Sequence, residues 1–338
     1  MSAHELNDAI LRHSLQLLRL SAGEQAAVEQ ILRELERDLK ALLESRSLSG
    51  AAKREVESLI ADAGRIIDGG YAKAGVQVDT HALAVIVAEQ TADLIGETFT
   101  ADILRPTAAT LASLTRDVLI DGSPTSAWWA RQAEDTAFRF AAQVRQGVVN
   151  GETTERIVGR IVGRKPRGDE PGEPGFMEVS RRNARALVHS SVLNAANVAR
   201  FETFRKNPRL FKGVRWLATL DMLTCRQCGA LDGESWDFDG KKLPGTTIAF
   251  RLPLAHWNCR CAVSFVLKRE GGPDSRASQF GQISGDTSFD AFLGRLTPEQ
   301  VEQSLGTRRA ELYRAGKITI RDLVSGTGRE LRLDELRT

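Results

Sequence analysis

The sequence predicts an α+β fold that is predominantly α: a helical N-terminal half, then a small α+β unit, then a short helical tail. Three observations predict it. Apolar residues recur at helical spacing through the first 150 residues. After Pro208 the period shortens to that of strands. The chain's 4 cysteines all fall between residues 225 and 261, where they can staple a small unit.

The N-terminal domain is expected over 1–150. Ser21 with Glu24 reads as a capping box opening a helix whose stripe is Val28, Ile31, Leu32, Leu35, Leu39 and Leu42. A second helix carries Val56, Leu59, Ile60, Ala63 and Ile67, and Gly69-Gly70 is expected to stop it. A third runs from Thr80 through Leu83, Val87 and Leu94 to Phe99. Pro106 and Pro124 each sit where a helix can begin, the second with Ser123 as cap. Trp128, Trp129, Phe138 and Phe140 on the following helix read as packing residues.

Residues 151–178 read as a basic Gly/Pro-rich junction. RIVGRIVGR places Arg156, Arg160 and Arg164 four apart, a basic stripe if the segment is helical, although its glycines weaken the helix. KPRGDEPGEPG, 165–175, reads as a loop. The α+β unit is expected over 179–270. Its helix carries Val188, Val192, Ala195 and Ala199 on one seam and Arg181, Arg182 and Arg185 in its first turns. His189, Ser190 and Ser191 follow one another on that helix, so they diverge and cannot pair as base and nucleophile. Residues 213–219, 236–238 and 261–267 read as strands, with Asp232-Gly233 as a hairpin turn. In the tail, 271–338, Thr297 caps a helix starting at Pro298, and another short helix is expected near Leu323. Phe289, Phe292, Leu296, Val301, Leu305 and Leu312 are available to the core or to a partner. No catalytic constellation emerges, and the chain reads as a non-enzyme.

The start, MSAHELNDAI, lacks the basic and apolar runs of a secretory leader, and the longest apolar run, 82–88, is too short to span a bilayer. No membrane association is expected, and a reducing compartment favours metal binding over disulfides. The formal net charge of +2 is uneven: residues 155–215 hold 14 Lys and Arg against 6 Asp and Glu. That segment suits nucleic acid or an acidic protein surface, or a solvated helix face with internal ion pairs.

Cys225 and Cys228 form a C-x2-C pair; Cys259 and Cys261 form C-x-C, with His256 three positions before Cys259. Zinc takes four N or S ligands in a tetrahedron, and two short-range pairs supply them. On a strand the C-x-C side chains share a face. Five candidates compete for four places: either all four cysteines bind, or His256 replaces one of the later pair. A full protein ligand set favours structural zinc over a catalytic site with an open position. Two disulfides, a thioredoxin-like C-x-x-C and a zinc deaminase are the rivals. The deaminase lacks its H-x-E element and its proline before the first cysteine.

The runs VRWLATLDMLTCRQCGALDGESWDF and LPLAHWNCRC resemble the Mu F-like domain of phage minor head proteins, the phage head morphogenesis family. The resemblance lies on Trp216, Asp221, Thr224, Cys225, Cys228, Leu231, Asp232, Gly233, Pro253, His256, Asn258, Cys259, Arg260 and Cys261. RNARALVHSSVLNAANVARFETF adds a weaker likeness to the family's Arg- and Asn-rich helix. The family usually has proline after the histidine, where this chain has Trp257. The resemblance covers about 150–270 and implies that 179–270 is a zinc-stapled Mu F-like domain. It further implies a minor capsid protein of a tailed phage or prophage-derived particle, acting in head morphogenesis. Its partners would be the portal, other head proteins and packaged DNA; its place, the virion head after assembly in the host cytoplasm. Asp221, Asp232 and Gly233 would then support the turn, and Arg260 would pair with a carboxylate. The rival is a nucleic-acid-binding or DNA-processing zinc protein using 155–215.

Overall fold

The computed structural model describes residues 3–48, 50–117, 119–164, 171–268 and 275–336. Its helices are α1 (Ala3–Glu44), α2 (Lys53–Gln77), α3 (Thr80–Phe99), α4 (Ala108–Asp117), α5 (Thr125–Val149), α6 (Thr154–Val162), α7 (Phe176–Lys206), α8 (Arg226–Leu231), α9 (Phe289–Leu293), α10 (Pro298–Leu305) and α11 (Thr307–Arg314). The strands are β1 (Leu119–Ile120), β2 (Ser123–Pro124), β3 (Gly163–Arg164), β4 (Glu173–Pro174), β5 (Phe211–Leu217), β6 (Ser235–Trp236), β7 (Ala262–Leu267), β8 (Ser275–Ser278) and β9 (Gly281–Ser284). The chain is thus predominantly helical with a mixed α+β region. Two compact units result: Leu20–Asp79 with Leu119–Ser191, and Met1–Arg19 with Thr80–Val118 and Val192–Thr338. No helix among the described residues is long and apolar enough to cross a membrane.

The first of these units is all but purely helical. α1 buries Val28, Leu32, Leu35, Leu39 and Leu43, and α2 buries Val56, Leu59, Ala63, Ile67, Tyr71 and Ala74, each at the three- and four-residue spacing of one helix face. Ser21 is not a cap. α1 begins at Ala3, so the amides at 22–24 already have helical partners, and the Ser21 hydroxyl instead accepts from Gln25 Nε2 at 3.1 Å. Nor does Gly69-Gly70 end α2. A Cβ on Gly70 would lie 3.0 Å from Leu35 Cδ2, so this glycine lets α2 approach α1 closely. α5 starts at Thr125 behind Pro124, while Ser123 pairs with Ile120 in β2 rather than capping. Trp129 and Phe140 pack inward, Trp128 donates its Nε1–H to the Ile120 carbonyl at 2.7 Å, and Phe138 is 75% exposed. α6 is capped by Thr153 and ends at Gly163, whose φ of 91° turns the chain into β3. Of the expected 165–175 loop, 165–170 lie outside the described residues.

The other unit holds a three-stranded antiparallel sheet of order β6-β5-β7 and two apolar clusters. One gathers Leu6, Ile10, Ile95, Phe204, Phe211, Val214 and Val263. β5 and β7 pair antiparallel, Trp216 opposite Val263, with a shift of register between Phe211 and Gly213. Asp232-Gly233 does not form a two-residue hairpin: α8 intervenes between β5 and β6, and Gly233, at φ 82°, donates its N–H to the Trp216 carbonyl at 3.0 Å. The second cluster joins Trp216, Leu220, Cys228, Leu231, Trp236, Cys259 and Cys261 to Phe289, Phe292, Leu296, Val301, Leu305, Leu312 and Leu323. The apolar residues of the tail are therefore buried in the same core as the cysteines. α10 opens at Pro298 behind the Thr297 capping box, and the short helix near Leu323 is a 3₁₀ turn, Ile320–Leu323.

Candidate metal centre

Two chain segments bring the five candidate ligands together. α8 supplies the first pair: Cys225 is its N-cap, with Sγ accepting the Cys228 N–H at 3.4 Å, and the i,i+3 spacing sets both sulfurs on one side. The second segment enters β7. Asn258, at φ 60°, makes the turn that lets the Cys259 N–H reach the His256 carbonyl at 3.3 Å, and Cys261 follows at the mouth of the strand. His256 Nε2 lies 3.1 Å from Cys225 Sγ and 3.1 Å from Cys228 Sγ, and Cys228 Sγ lies 3.6 Å from Cys259 Sγ. The donor atoms form two triads, Cys225-Cys228-His256 and Cys228-Cys259-Cys261, within 4.8 Å in each. Cys228 belongs to both.

The donor set fits a soft, four-coordinate ion. No disulfide joins the four cysteines, and three of them are buried. With zinc–sulfur bonds of about 2.3 Å, a tetrahedron has sulfur–sulfur edges of about 3.8 Å, close to the Cys228–Cys259 separation. The His256 Nδ1 lies 2.7 Å from the Trp257 carbonyl. A carbonyl only accepts, so Nδ1 carries a proton and Nε2 is the ring nitrogen that faces the sulfurs, the orientation a metal-binding imidazole needs.

The electrostatics point the same way. The Cys225 thiol is brought down to about 5, first by its hydrogen bond with Cys228 and then by His256, against burial. Cys259 is also lowered, chiefly by hydrogen bonds with Cys228 and Cys261. Cys228 is raised by its bonds to Cys225 and Cys259, Cys261 is raised by burial, and His256 is raised to about 11 by its sulfur neighbours, Cys225 foremost. Five adjacent donors thus divide too few protons between thiolate and thiol. A divalent cation relieves that conflict by taking the protons' place.

Around the donors, polar side chains hold the backbone. Arg260, between two candidate ligands, donates to both oxygens of Asp221 at 2.5 and 2.8 Å, and Asp221 Oδ1 also accepts from the Leu223 N–H at 3.0 Å. Asn197 on α7 grips the strand entry, donating to the Cys261 carbonyl at 3.1 Å and accepting from the Val263 N–H at 2.8 Å. Asp232 accepts the Ala218 and Phe289 N–H groups, each at 2.9 Å, and forms a buried two-pronged pair with Arg276 at 2.6 and 2.8 Å. Sequence reasoning missed α8, Asn197 and Arg276. An asparagine facing out of a seam of small residues was the one available pointer to Asn197.

The candidate arginines form a separate set, in the helical unit. Arg156 and Arg160 lie on α6, but Arg164 lies on β3, so the three do not make one helical stripe. Arg160 pairs with Glu152, Arg164 with Glu173, Arg181 with Glu36 and Arg185 with Glu29; Arg156 and Arg182 are exposed. His189 Nδ1 lies 3.4 Å from Ser21 Oγ, while Ser191 donates to the Leu187 carbonyl, so the consecutive His-Ser-Ser residues diverge.

Fold and site together define an α+β unit with a cluster of Cys and His side chains that could hold a metal ion at the foot of its sheet. The family model described as Phage Mu protein F like protein matches residues 139–264, a stretch that takes in α7, β5, β6, the first half of β7 and all five candidate ligands. Over those residues the chain is related at family level to Mu F-like phage proteins. No curated protein and no solved structure matches the chain.

Proposed function

We propose that the protein is a non-enzymatic minor head protein of a tailed bacteriophage or prophage-derived particle. It acts in head morphogenesis beside the portal, and one structural zinc ion staples its 179–270 domain. The observation that carries this reading is the convergence of five Cys and His donors, inside the matched stretch 139–264, into two triads sharing Cys228. The ion takes four of the five donors and contributes folding free energy rather than chemistry. Residues 1–150 are the docking arm toward the portal or capsid, 151–178 the junction and 271–338 a C-terminal extension. The protein assembles in the host cytoplasm and resides in the head. The DNA-binding alternative has less to draw on than composition suggests, because four of the six candidate arginines engage carboxylates of their own unit.

Purified full-length protein is expected to carry one equivalent of zinc. When co-expressed with its portal it is expected to co-purify regardless of nuclease treatment. Metal content under half an equivalent overturns the zinc staple. DNA affinity that falls steeply with salt and with Arg156→Ala and Arg182→Ala, without portal association, favours the alternative.

A further inference from the structure

α8 is held from two sides. One side carries Cys225 and Cys228. The other meets the C-terminal segment, 275–336. A Cβ on Gly229 would fall 2.4 Å from Phe289 Cδ1, so the phenyl ring lies directly on the α8 backbone. Arg226 donates to Glu330 at 2.7 Å and to the Leu305 carbonyl at 3.3 Å, and Gln227 Nε2 donates to the Gly328 carbonyl at 2.6 Å. At the C-cap, Asp232 receives the Phe289 N–H and the Arg276 guanidinium. A helix of six residues has too few internal hydrogen bonds to stand unaided. Its geometry must come from these two sets of partners.

We propose that metal binding and docking of the C-terminal segment form one linked equilibrium running through α8, with Arg226 and Gly229 as positioning residues of the metal centre. The proposal rests on reading the Cys/His cluster as a metal site. The ion fixes the backbone of 225–228 and so fixes the surface that Phe289, Leu305, Gly328 and Glu330 engage. The docked segment, in turn, holds the two sulfurs at the separation the ion requires. Linkage is reciprocal: the factor by which the ion tightens docking equals the factor by which docking tightens the ion. Every docking partner lies beyond residue 264, where the family match ends. The centre in this chain is therefore supported by residues the matched family stretch does not include.

The test uses the full-length chain and two readouts. Zinc affinity is measured by competition with a chromophoric chelator, and amide exchange is followed with and without zinc. Arg226→Met is expected to weaken zinc binding about tenfold, and Gly229→Val, which wedges Phe289 away, by more. Arg226→Lys should recover part of the loss. The cobalt-substituted variants should keep the wild-type thiolate-to-cobalt absorption, because the ligands are unchanged. Removing zinc should speed exchange at least tenfold in 289–293 and 320–331 while leaving α2 and α5 unaffected. One equivalent of zinc bound with unaltered affinity in Arg226→Met, or C-terminal exchange indifferent to zinc, overturns the linkage and leaves the metal site standing. A chain that binds no zinc overturns both.

Discussion

The two compact units bury different things. In the unit formed by Leu20–Asp79 and Leu119–Ser191, the buried polar side chains among the described residues are hydroxyls: Ser21, Tyr71, Thr136, Ser180, Ser190 and Ser191. Tyr71 and Thr136 meet at 2.8 Å, Thr136 and Ser180 at 3.2 Å, and Ser191 donates to the Leu187 carbonyl. In the unit that holds the cysteines, the buried side chains include His13, Arg200, Glu202, Asp232, Glu234 and Arg276. Periodic apolar stripes suffice to build the first. The second uses paired charges and clustered thiols where its short elements bring too little apolar surface of their own. The contrast teaches that the cysteine unit should respond to metal, charge and pH, and the helical unit to packing alone.

On the proposed zinc staple, the metal should have the largest effect. Structural zinc contributes on the order of 10 kcal/mol to small domains at neutral pH, and Cys228 is the candidate ligand both triads share. Cys228→Ser is expected to abolish stoichiometric zinc binding and unfold the cysteine unit at 25 °C while α2 and α5 stay protected from exchange. Cys261→Ser, which touches one triad, should bind more weakly but measurably. A Cys228→Ser protein that holds a full equivalent would break the shared-ligand geometry.

Next comes Arg276→Met. It strands the Asp232 carboxylate, whose side chain is only 2% exposed, without its counter-charge. Leaving one member of such a pair alone costs about 3–5 kcal/mol. Denaturant unfolding should show that loss, and adding Asp232→Asn should restore part of it. Leu39→Ala is the matched test in the helical unit, where it opens a cavity at a fully buried site and costs about 3 kcal/mol. Its zinc content should be normal. Zinc loss in Leu39→Ala would erase the distinction between the units.

What was legible in the sequence follows the same division. Val28, Leu32, Leu35 and Leu39 announced their burial because a helix face repeats every three to four residues. Thr297 and Pro298 announced a helix start because a cap acts within four residues. The ligand spacing was legible for the same reason, each pair being local. Ser21 misled because a cap and a mid-helix serine look alike until the upstream chain is seen to be helical. Gly70 misled because a glycine that admits a neighbouring Leu35 carries no mark distinguishing it from a helix stop. Asp232 read as part of a hairpin turn and instead follows the end of α8. Its pairing with Arg276 spans 44 positions, and closing a long loop costs little more than closing a short one, so nothing local records it. Core packing was among the expectations for Phe289 and Phe292, and the core they join is the one that holds the cysteines.

The smallest effect expected is a pH dependence confined to the cysteine unit. Burial, helped by the neighbouring Arg200 charge and opposed by a hydrogen bond with Gln90, holds His13 at about 4, against 6.5 for a free side chain. Between those values the unfolded chain binds a proton that the folded chain refuses, so stability rises with pH across the window. The contribution is complete above pH 6.5 and is lost as the pH falls toward 4. Allowing for partial solvent screening, the loss is about 2 kcal/mol. Arg200 makes the refusal firm: the residue, 1% exposed, donates to Ser14 at 3.0 Å and has no carboxylate partner among the described residues, so a second positive charge beside it is unwelcome. His13→Gln should therefore flatten the acid limb of a stability curve measured between pH 7 and 4.5 on zinc-saturated protein. The flattening should appear in exchange from α3 and not from α2. An unchanged slope in His13→Gln would place the acid sensitivity in the metal ligands alone, and equal slopes in α2 and α3 would show that charge burial does not separate the two units.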